Sequence, residues 1–337
     1  MAACRDVLCG VARLTQMTEA ARALWITGPR VAEIRPTDVT PGPENYVVHT
    51  LFSGISRGTE RLVFEGHVPE SEYQTMRAPM QGGEFPFPVK YGYSAVGQIQ
   101  DGPDAGRIVF ALHPHQTRFA CPPAMAVPVP SAVPAARAVL AANMETALNI
   151  LWDAQVQPGD RVAVVGAGTV GALAGYLAAR IPGTETCLID VDPTRSALAR
   201  ALGCAFAAPD AGPGEADVVI HASATEAGLV TALTLAGLEA TVIEASWFGT
   251  RPTTISLGAA FHQRRLRLVA SQVGHIPAHR AARWTHRRRL EAALRLLNDP
   301  VLDTLISGES PFDMAAQDYA HILDAPDTLC HRLRYEG

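Results

Sequence analysis

The stretch RVAVVGAGTVGALAGYLAARI, residues 161–181, decides the fold, together with TCLIDV at residues 186–191. A short apolar strand leads into three glycines spaced G-x-G-x-x-G, and an Ala/Leu-rich helical segment follows. Strand, glycine turn and helix in that order make the first half of a βαβ unit. Gly166 permits the tight turn, Gly168 lets the backbone approach a pyrophosphate, and Gly171 lets the helix pack closely on the strand. Thr169 and Val170, the first helical residues, present free N–H groups and the positive end of the helix dipole to phosphates. The next strand ends in Asp190, whose carboxylate would accept hydrogen bonds from the adenine-ribose hydroxyls and repel a 2′-phosphate. The expected cofactor is therefore NAD rather than NADP. Arg195 would soften that preference if it folded back toward the ribose.

Working outward, the same alternation continues. ADVVIHAS, ATVIEAS and RLRLVAS read as strands, and TRSALARALG and AGLVTALTLA as helices between them. This pattern calls for a parallel sheet covered by helices on both faces. Upstream, from about Ala20 to Pro130, the sequence is rich in Pro and Gly with short apolar runs such as ALWITG, YVVHTLF, AVGQIQ and RIVFAL. These predict an irregular antiparallel β domain. The tail predicts one long helix over residues 279–298, two shorter segments and a final strand at HRLRY. The expected fold class is α/β, with a doubly wound parallel Rossmann sheet over residues 143–270. The irregular β domain takes residues 1–142 and 271–337.

A formal charge of -5, with 48% hydrophobic and 18% charged residues, describes a globular chain and argues against a nucleic-acid partner. No run of about 20 apolar residues exists to span a membrane. The N-terminus MAACRDVLCGVARLTQ lacks the apolar core of a signal peptide. The six cysteines are scattered without a CxxC pair, which suits reduced thiols and a cytoplasmic setting.

Several short signatures share one resemblance. They are Ser53-Gly-Ile-Ser56-Arg57-Gly58-Thr59-Glu60, Tyr91-Gly-Tyr93-Ser94-Ala-Val-Gly97, Glu145-Thr146-Ala147 and Gln157-Pro-Gly-Asp160. With the domain order, they make nearly the whole chain from about Ala20 resemble the medium-chain dehydrogenase/reductase superfamily. That resemblance implies a GroES-like catalytic domain, a nicotinamide-binding Rossmann domain, and hydride transfer in the cleft between them. The wording of SGISRGTE, HPHQ at residues 113–116 and METALN at residues 144–149 is similar to a zinc-free branch that includes bacteriochlorophyllide dehydrogenase-like proteins.

In zinc-dependent members the first ligand is a Cys, and Ser56 stands there in this chain. The second is a His followed by Glu, matched here by Tyr93 and Ser94; the third falls near Ala141 or Ala142. Ser, Tyr and Ala do not make a catalytic zinc site, so no zinc is expected. His113 and His115 form an HxH pair without a third ligand in view. Without a metal, side-chain donors must polarise a carbonyl and move its proton. Tyr93 is the leading candidate, with Ser56 to orient it. Glu145 reads either as a base or as a helix cap, and His113 or His115 as a proton relay, because imidazole titrates near neutrality. Relatives carry a proton-passing Ser or Thr where this chain has Gly58. By the resemblance, Thr146 lies beneath the nicotinamide. Trp247 either walls the nicotinamide pocket or belongs to interface core.

The Arg/His-rich segment that includes Arg280, Arg283, Arg287 and Arg288 reads as a solvated helix face, or as a site for an acidic substrate group. Three functions remain open on sequence grounds. One is a zinc-independent oxidoreductase acting on a secondary alcohol or ketone of a sizeable organic substrate. Another is an enoyl or quinone reductase, and the third a non-catalytic NAD-binding protein. A small-molecule substrate and a homodimer complete the expectations.

Overall fold

The computed structural model describes residues 19–336. The expectation about the N-terminal segment, and Cys4 and Cys9 with it, lies outside the described residues. The N-terminal part is built from β1 (Glu19–Gly28), β2 (Val31–Val39), β3 (Tyr46–Ser56), α1 (Arg57–Phe64), β4 (Gly82–Gly83), β5 (Val89–Lys90), β6 (Ala95–Ile99), β7 (Ile108–Ala111), β8 (Arg118–Cys121) and β9 (Val127–Pro128). Strands β2-β1-β5-β4 form one antiparallel sheet. The apolar runs seen in the sequence lie within these strands, of which β1 and β3 are long, at 10 and 11 residues, and turn residues separate them.

Two helices, α2 (Ala135–Ala138) and α3 (Ala141–Ala154), lead into the parallel sheet. There follow β10 (Arg161–Val165), α4 (Thr169–Ala178), β11 (Glu185–Ile189), α5 (Arg195–Ala201), β12 (Ala205–Ala207), β13 (Ala216–His221), α6 (Glu226–Leu235), β14 (Ala236–Glu244) and β15 (Arg267–Ala270). The strand order is β12-β11-β10-β13-β14-β15, with every pairing parallel. Central β10 buries Val162, Ala163, Val164 and Val165 in succession, because helices cover both faces of the sheet. The order reverses between β10 and β13, which opens a crevice at the carboxyl ends of those strands.

The chain then returns through α7 (Ala278–Ala281), α8 (His286–Leu296), β16 (Ile306–Pro311), α9 (Ala315–Asp324) and β17 (Cys330–Arg334). β17 pairs antiparallel with β3, so the C-terminus completes the seven-stranded sheet β16-β17-β3-β6-β7-β9, in which β8 also pairs with the first half of β3. The single long helix expected over residues 279–298 is two helices. Thr285 is extended (φ -111°, ψ 162°) and its hydroxyl accepts from the Arg288 N–H at 3.1 Å, starting a new helix. A Thr N-cap of this kind competes with helix continuation. The intervening Trp284 packs on Trp152 of α3, ring centroids 4.7 Å apart.

Two large cores meet at the cleft. One runs from Phe110 and Val96 through α3 into β10, β13 and α8. The other joins Leu24, Ile26, Val89, Tyr319 and Leu333. Tyr93 packs against both, and Trp247, from the loop after β14, packs against the second. Trp247 thereby reaches from the parallel sheet to the β-rich part. Among the described residues, no helix is long and apolar enough to cross a membrane.

Candidate active site

The glycine turn is built as its sequence requires. Gly166 adopts φ +103°, and a Cβ there would meet the Ser223 N at 2.7 Å. A Cβ on Gly171 would lie 1.9 Å from the Gly166 carbonyl oxygen, so helix and turn touch through backbone alone. At Gly168, by contrast, a Cβ would meet nothing within 4 Å: this residue faces open space. Gly168 is also the N-cap of α4 and provides no side-chain cap, so the N–H groups of Thr169 and Val170 remain for an anion. Asp190 closes the crevice at the end of β11. Its carboxylate accepts from the Ala167 N–H at 2.7 Å and from the Asp192 N–H at 2.9 Å. Arg195 is anchored elsewhere, donating to the Pro326 carbonyl at 2.8 Å and lying 3.5 Å from the Asp192 carboxylate. The open Gly168 turn, the uncapped helix and the acid beyond them fit a dinucleotide.

Behind this turn sits a hydrogen-bonded group that the sequence reading did not single out. His221 at the end of β13 is buried, with Nδ1 2.6 Å from the Glu244 carboxylate and Nε2 2.7 Å from the Ser223 hydroxyl. Strand pairing sets His221 beside Glu244. The residues are 23 apart in sequence, and no local pattern links them.

The second half of the cleft centres on Tyr93. The Ser56 and Thr59 side chains lie beside its phenol and favour its ionised form. The Ser56 hydroxyl in turn accepts from the Asn143 amide at 3.2 Å. Ser56, Thr59, Tyr93 and Asn143 come from β3, α1, the turn after β5 and α3, converging where the two cores meet. Burial pushes the Tyr93 phenol up to about 12, and the Glu60 carboxylate adds to the rise, against the pull of Ser56 and Thr59. Tyr93 is thus a hydrogen-bond donor throughout the physiological range. Gly58 leaves space beside this group, since a Cβ there would meet nothing within 4 Å. One turn along α3, the Thr146 hydroxyl donates to the Ala142 carbonyl at 3.0 Å. Asn143 was missed in the sequence, where only its place near the expected third ligand could have flagged it.

Two expected roles meet a different environment. His113 is buried, stacked on Phe119 with ring centroids 4.0 Å apart, and its Nδ1 donates to the Pro114 carbonyl at 2.9 Å. Burial drives its pKa down to about 3, so it stays neutral at physiological pH and does not take up the relay proton expected of it. Glu145 neither caps a helix nor stands free as a base. It lies inside α3 and accepts from Arg289 Nε at 3.0 Å, with both side chains buried. Burial raises its carboxyl, and the Arg289 charge opposes the rise. Arg289 also donates to the Asn149 side chain and the Val273 carbonyl, so this one arginine of the basic segment is structural.

The donor chemistry does not suit zinc. The groups beside Tyr93 are two hydroxyls and an amide. Although the Glu60 carboxylate and the Cys330 thiol also act on the phenol, a zinc site needs at least three thiolate, imidazole or carboxylate ligands together. Among the described residues, no three His, Cys, Asp or Glu side chains cluster as a metal site.

No protein-family model and no curated protein matches the sequence. Solved structures match the fold. L-idonate 5-dehydrogenase from Escherichia coli aligns with a TM-score of 0.77 at 14% identity, over 94% of this chain and 99% of that one. A short chain alcohol dehydrogenase from Escherichia coli complexed with NADH gives 0.73 at 16%, over 94% and 99%. A protein from Sinorhizobium meliloti described as a zinc-binding dehydrogenase, bound to NADP, gives 0.74 at 18%, over 94% and 99%. The chain therefore has the α/β fold of these dehydrogenases, a GroES-like β domain joined to a Rossmann sheet.

Proposed function

We propose that this chain is a zinc-independent, NAD-dependent oxidoreductase of the medium-chain type. It would move hydride between the nicotinamide and a secondary alcohol or ketone of a sizeable organic substrate. The observation that carries this reading is the Tyr93 group, a phenol set beside Ser56, Thr59 and Asn143, in which Ser56 and Tyr93 take, by the sequence resemblance, the places of two zinc ligands of metal-dependent relatives. NAD supplies the hydride acceptor or donor when bound. The Thr169 and Val170 N–H groups would hold its pyrophosphate against the open face of Gly168. Asp190 would take the ribose hydroxyls and disfavour a 2′-phosphate. Trp247 and Thr146 would border the nicotinamide end.

Tyr93 acts as the proton donor in reduction. Its O–H points at the substrate oxygen, stabilises the charge that builds there, and passes its proton as the alcohol forms. Ser56 and Thr59 lie beside the phenol, and Asn143 fixes the Ser56 hydroxyl. In the reverse direction the same phenol, once deprotonated, takes the alcohol proton back.

The exposed edge strand β15, with Leu268 and Val269 each 37% exposed, suits pairing with a second copy of the chain, and we assign the homodimer interface there. The functional reading is tested by following NADH oxidation with a panel of ketones and enones. Tyr93→Phe is expected to lower kcat for ketones by about 10²–10⁴-fold, the range for a lost general acid, with NADH binding unchanged. Full turnover in the variant would overturn the reading.

A further inference from the structure

The proposed reaction uses Tyr93, Ser56, Thr59 and Asn143, and leaves unexplained a fully buried carboxylate directly behind them. Glu60 lies on α1 and has no exposure to solvent. Each of its contacts donates to it. Oε1 accepts from the Ser56 backbone N–H at 2.7 Å; Oε2 accepts from the Tyr319 hydroxyl at 2.6 Å and lies 3.0 Å from His115 Nε2. His115 is fixed in turn. Its Nδ1 is 2.7 Å from the Ser53 hydroxyl, which is 2.8 Å from the Tyr335 hydroxyl. The His115 ring also lies against the backbone just before Tyr93, where a Cβ on Gly92 would sit 2.9 Å from Cδ2.

A buried carboxylate is costly unless its lone pairs are filled by donors. Three segments supply that satisfaction here, β3, residues 112–117 and α9, while Ser53 holds His115 and Tyr335 in turn holds Ser53. An apolar side chain at residue 60 would fill the same core space with no need of this network. The outcome of the arrangement is local to the catalytic group. Oε1 ties down the turn carrying Ser56 and Thr59, and His115 backs the turn carrying Tyr93.

We propose that Glu60 is the positioning residue of the Tyr93 acid, fixing Ser56 and Thr59 against the phenol and setting a negative charge behind it. The inference rests on Tyr93 as the proton donor. The charge opposes loss of the phenolic proton in the resting site, and so keeps Tyr93 protonated until hydride transfer creates an alkoxide basic enough to take that proton. The titratable groups facing Glu60 are His115 from residues 112–117, Tyr91 and Tyr93 after β5, Tyr319 from α9, and Cys330 and Tyr335 from the C-terminal return. The carboxylate is an influence common to Tyr91, Tyr93, Tyr319, Cys330 and Tyr335, raising each of them.

The test needs no substrate. Protein labelled with ¹³Cζ-tyrosine is titrated by NMR, and the Tyr93 resonance is assigned from its loss in Tyr93→Phe. In the native chain Tyr93 is expected to stay protonated until the pH nears about 12. In Glu60→Gln it should titrate lower by about one pH unit or more, and Glu60→Asp, which keeps the charge, should restore the native value. An unchanged titration in Glu60→Gln overturns the proposal. Tyr319→Phe provides a second measurement if Glu60→Gln does not fold, because it removes one hydroxyl from the carboxylate and touches nothing else in the site. A severalfold fall in kcat with unchanged KM is expected, and unchanged kcat overturns the proposal. If Tyr93→Phe itself keeps full turnover, the functional reading fails. The titration then still decides whether Glu60 acts on that phenol.

Discussion

Arg289 and Glu145 meet at 3.0 Å where α8 crosses α3, both buried, and this pair ties the C-terminal return to the helix that leads into the parallel sheet. Removing one charge leaves the other unpaired in the core. Arg289→Met should therefore destabilise the fold by about 3–5 kcal/mol, and Arg289→Met with Glu145→Leu by much less. Urea unfolding of the two variants measures the difference. A single-variant loss below about 1 kcal/mol, the range of an exposed pair, would contradict this assignment.

The three glycines of the turn should separate folding from binding. Gly171→Ala puts a Cβ 1.9 Å from a carbonyl oxygen, and should cost folded yield and melting temperature. Gly168→Ala meets no protein atom within 4 Å, so its melting temperature should match the native chain. Its methyl group enters the space assigned to the pyrophosphate, and NADH affinity should fall by about tenfold or more, equivalent to ~1.4 kcal/mol. Calorimetry and fluorescence titration on the same samples check both. Native NADH affinity in Gly168→Ala would remove the pyrophosphate from this turn.

His113 predicts an acid-side loss of stability. Its folded pKa is depressed to about 3 from 6.5. Below pH 6.5 the unfolded chain takes up a proton that the folded chain refuses, so stability present above that pH is lost as pH falls toward 3. The slope from this residue is roughly 1.4 kcal/mol per pH unit. His113→Phe keeps a ring against Phe119 and should flatten that part of the curve. An identical acid limb in the variant would contradict the depressed value.

Asp190 should govern cofactor choice. Asp190→Ser removes the charge that opposes a 2′-phosphate while leaving a hydroxyl to accept from the Ala167 N–H. The ratio of NADPH to NADH affinity should move toward NADPH by about tenfold or more, a change of ~1.4 kcal/mol. Arg195 is held by Asp192 and Pro326, so Arg195→Ala should alter that ratio less than Asp190→Ser does. Binding isotherms for the two cofactors decide it, and a ratio unchanged in Asp190→Ser would contradict the assignment.

The parallel sheet was legible in the sequence because its signals are local: RVAVV, the three glycines and Asp190 lie within about one βαβ unit. The polar networks were not. Tyr319 is 259 residues from Glu60, and Arg289 is 144 from Glu145. The chain return brings such partners together, through α8 against α3 for Arg289 and Glu145 and through the segment before β17 for Tyr319 and Glu60. Charge counting placed Arg289 in the same basic segment as Arg280, Arg283, Arg287 and Arg288, although it alone among them is buried. The same density of cations hid the helix break at Thr285, where one hydroxyl bond outweighs a continuous helical pattern. His113 was read from its ordinary titration range; stacking and burial, invisible to spacing, remove it from that range.

The central claim, hydride transfer assisted by Tyr93 rather than by zinc, is tested most directly by metal analysis of active protein. The account predicts less than about a tenth of an equivalent of zinc per chain, against the full equivalent of a resident metal site, and NADH-dependent turnover unchanged by a chelator. Stoichiometric zinc whose removal abolishes turnover would contradict it, and would place ligands where Ser56, Tyr93 and Asn143 now form the donor group.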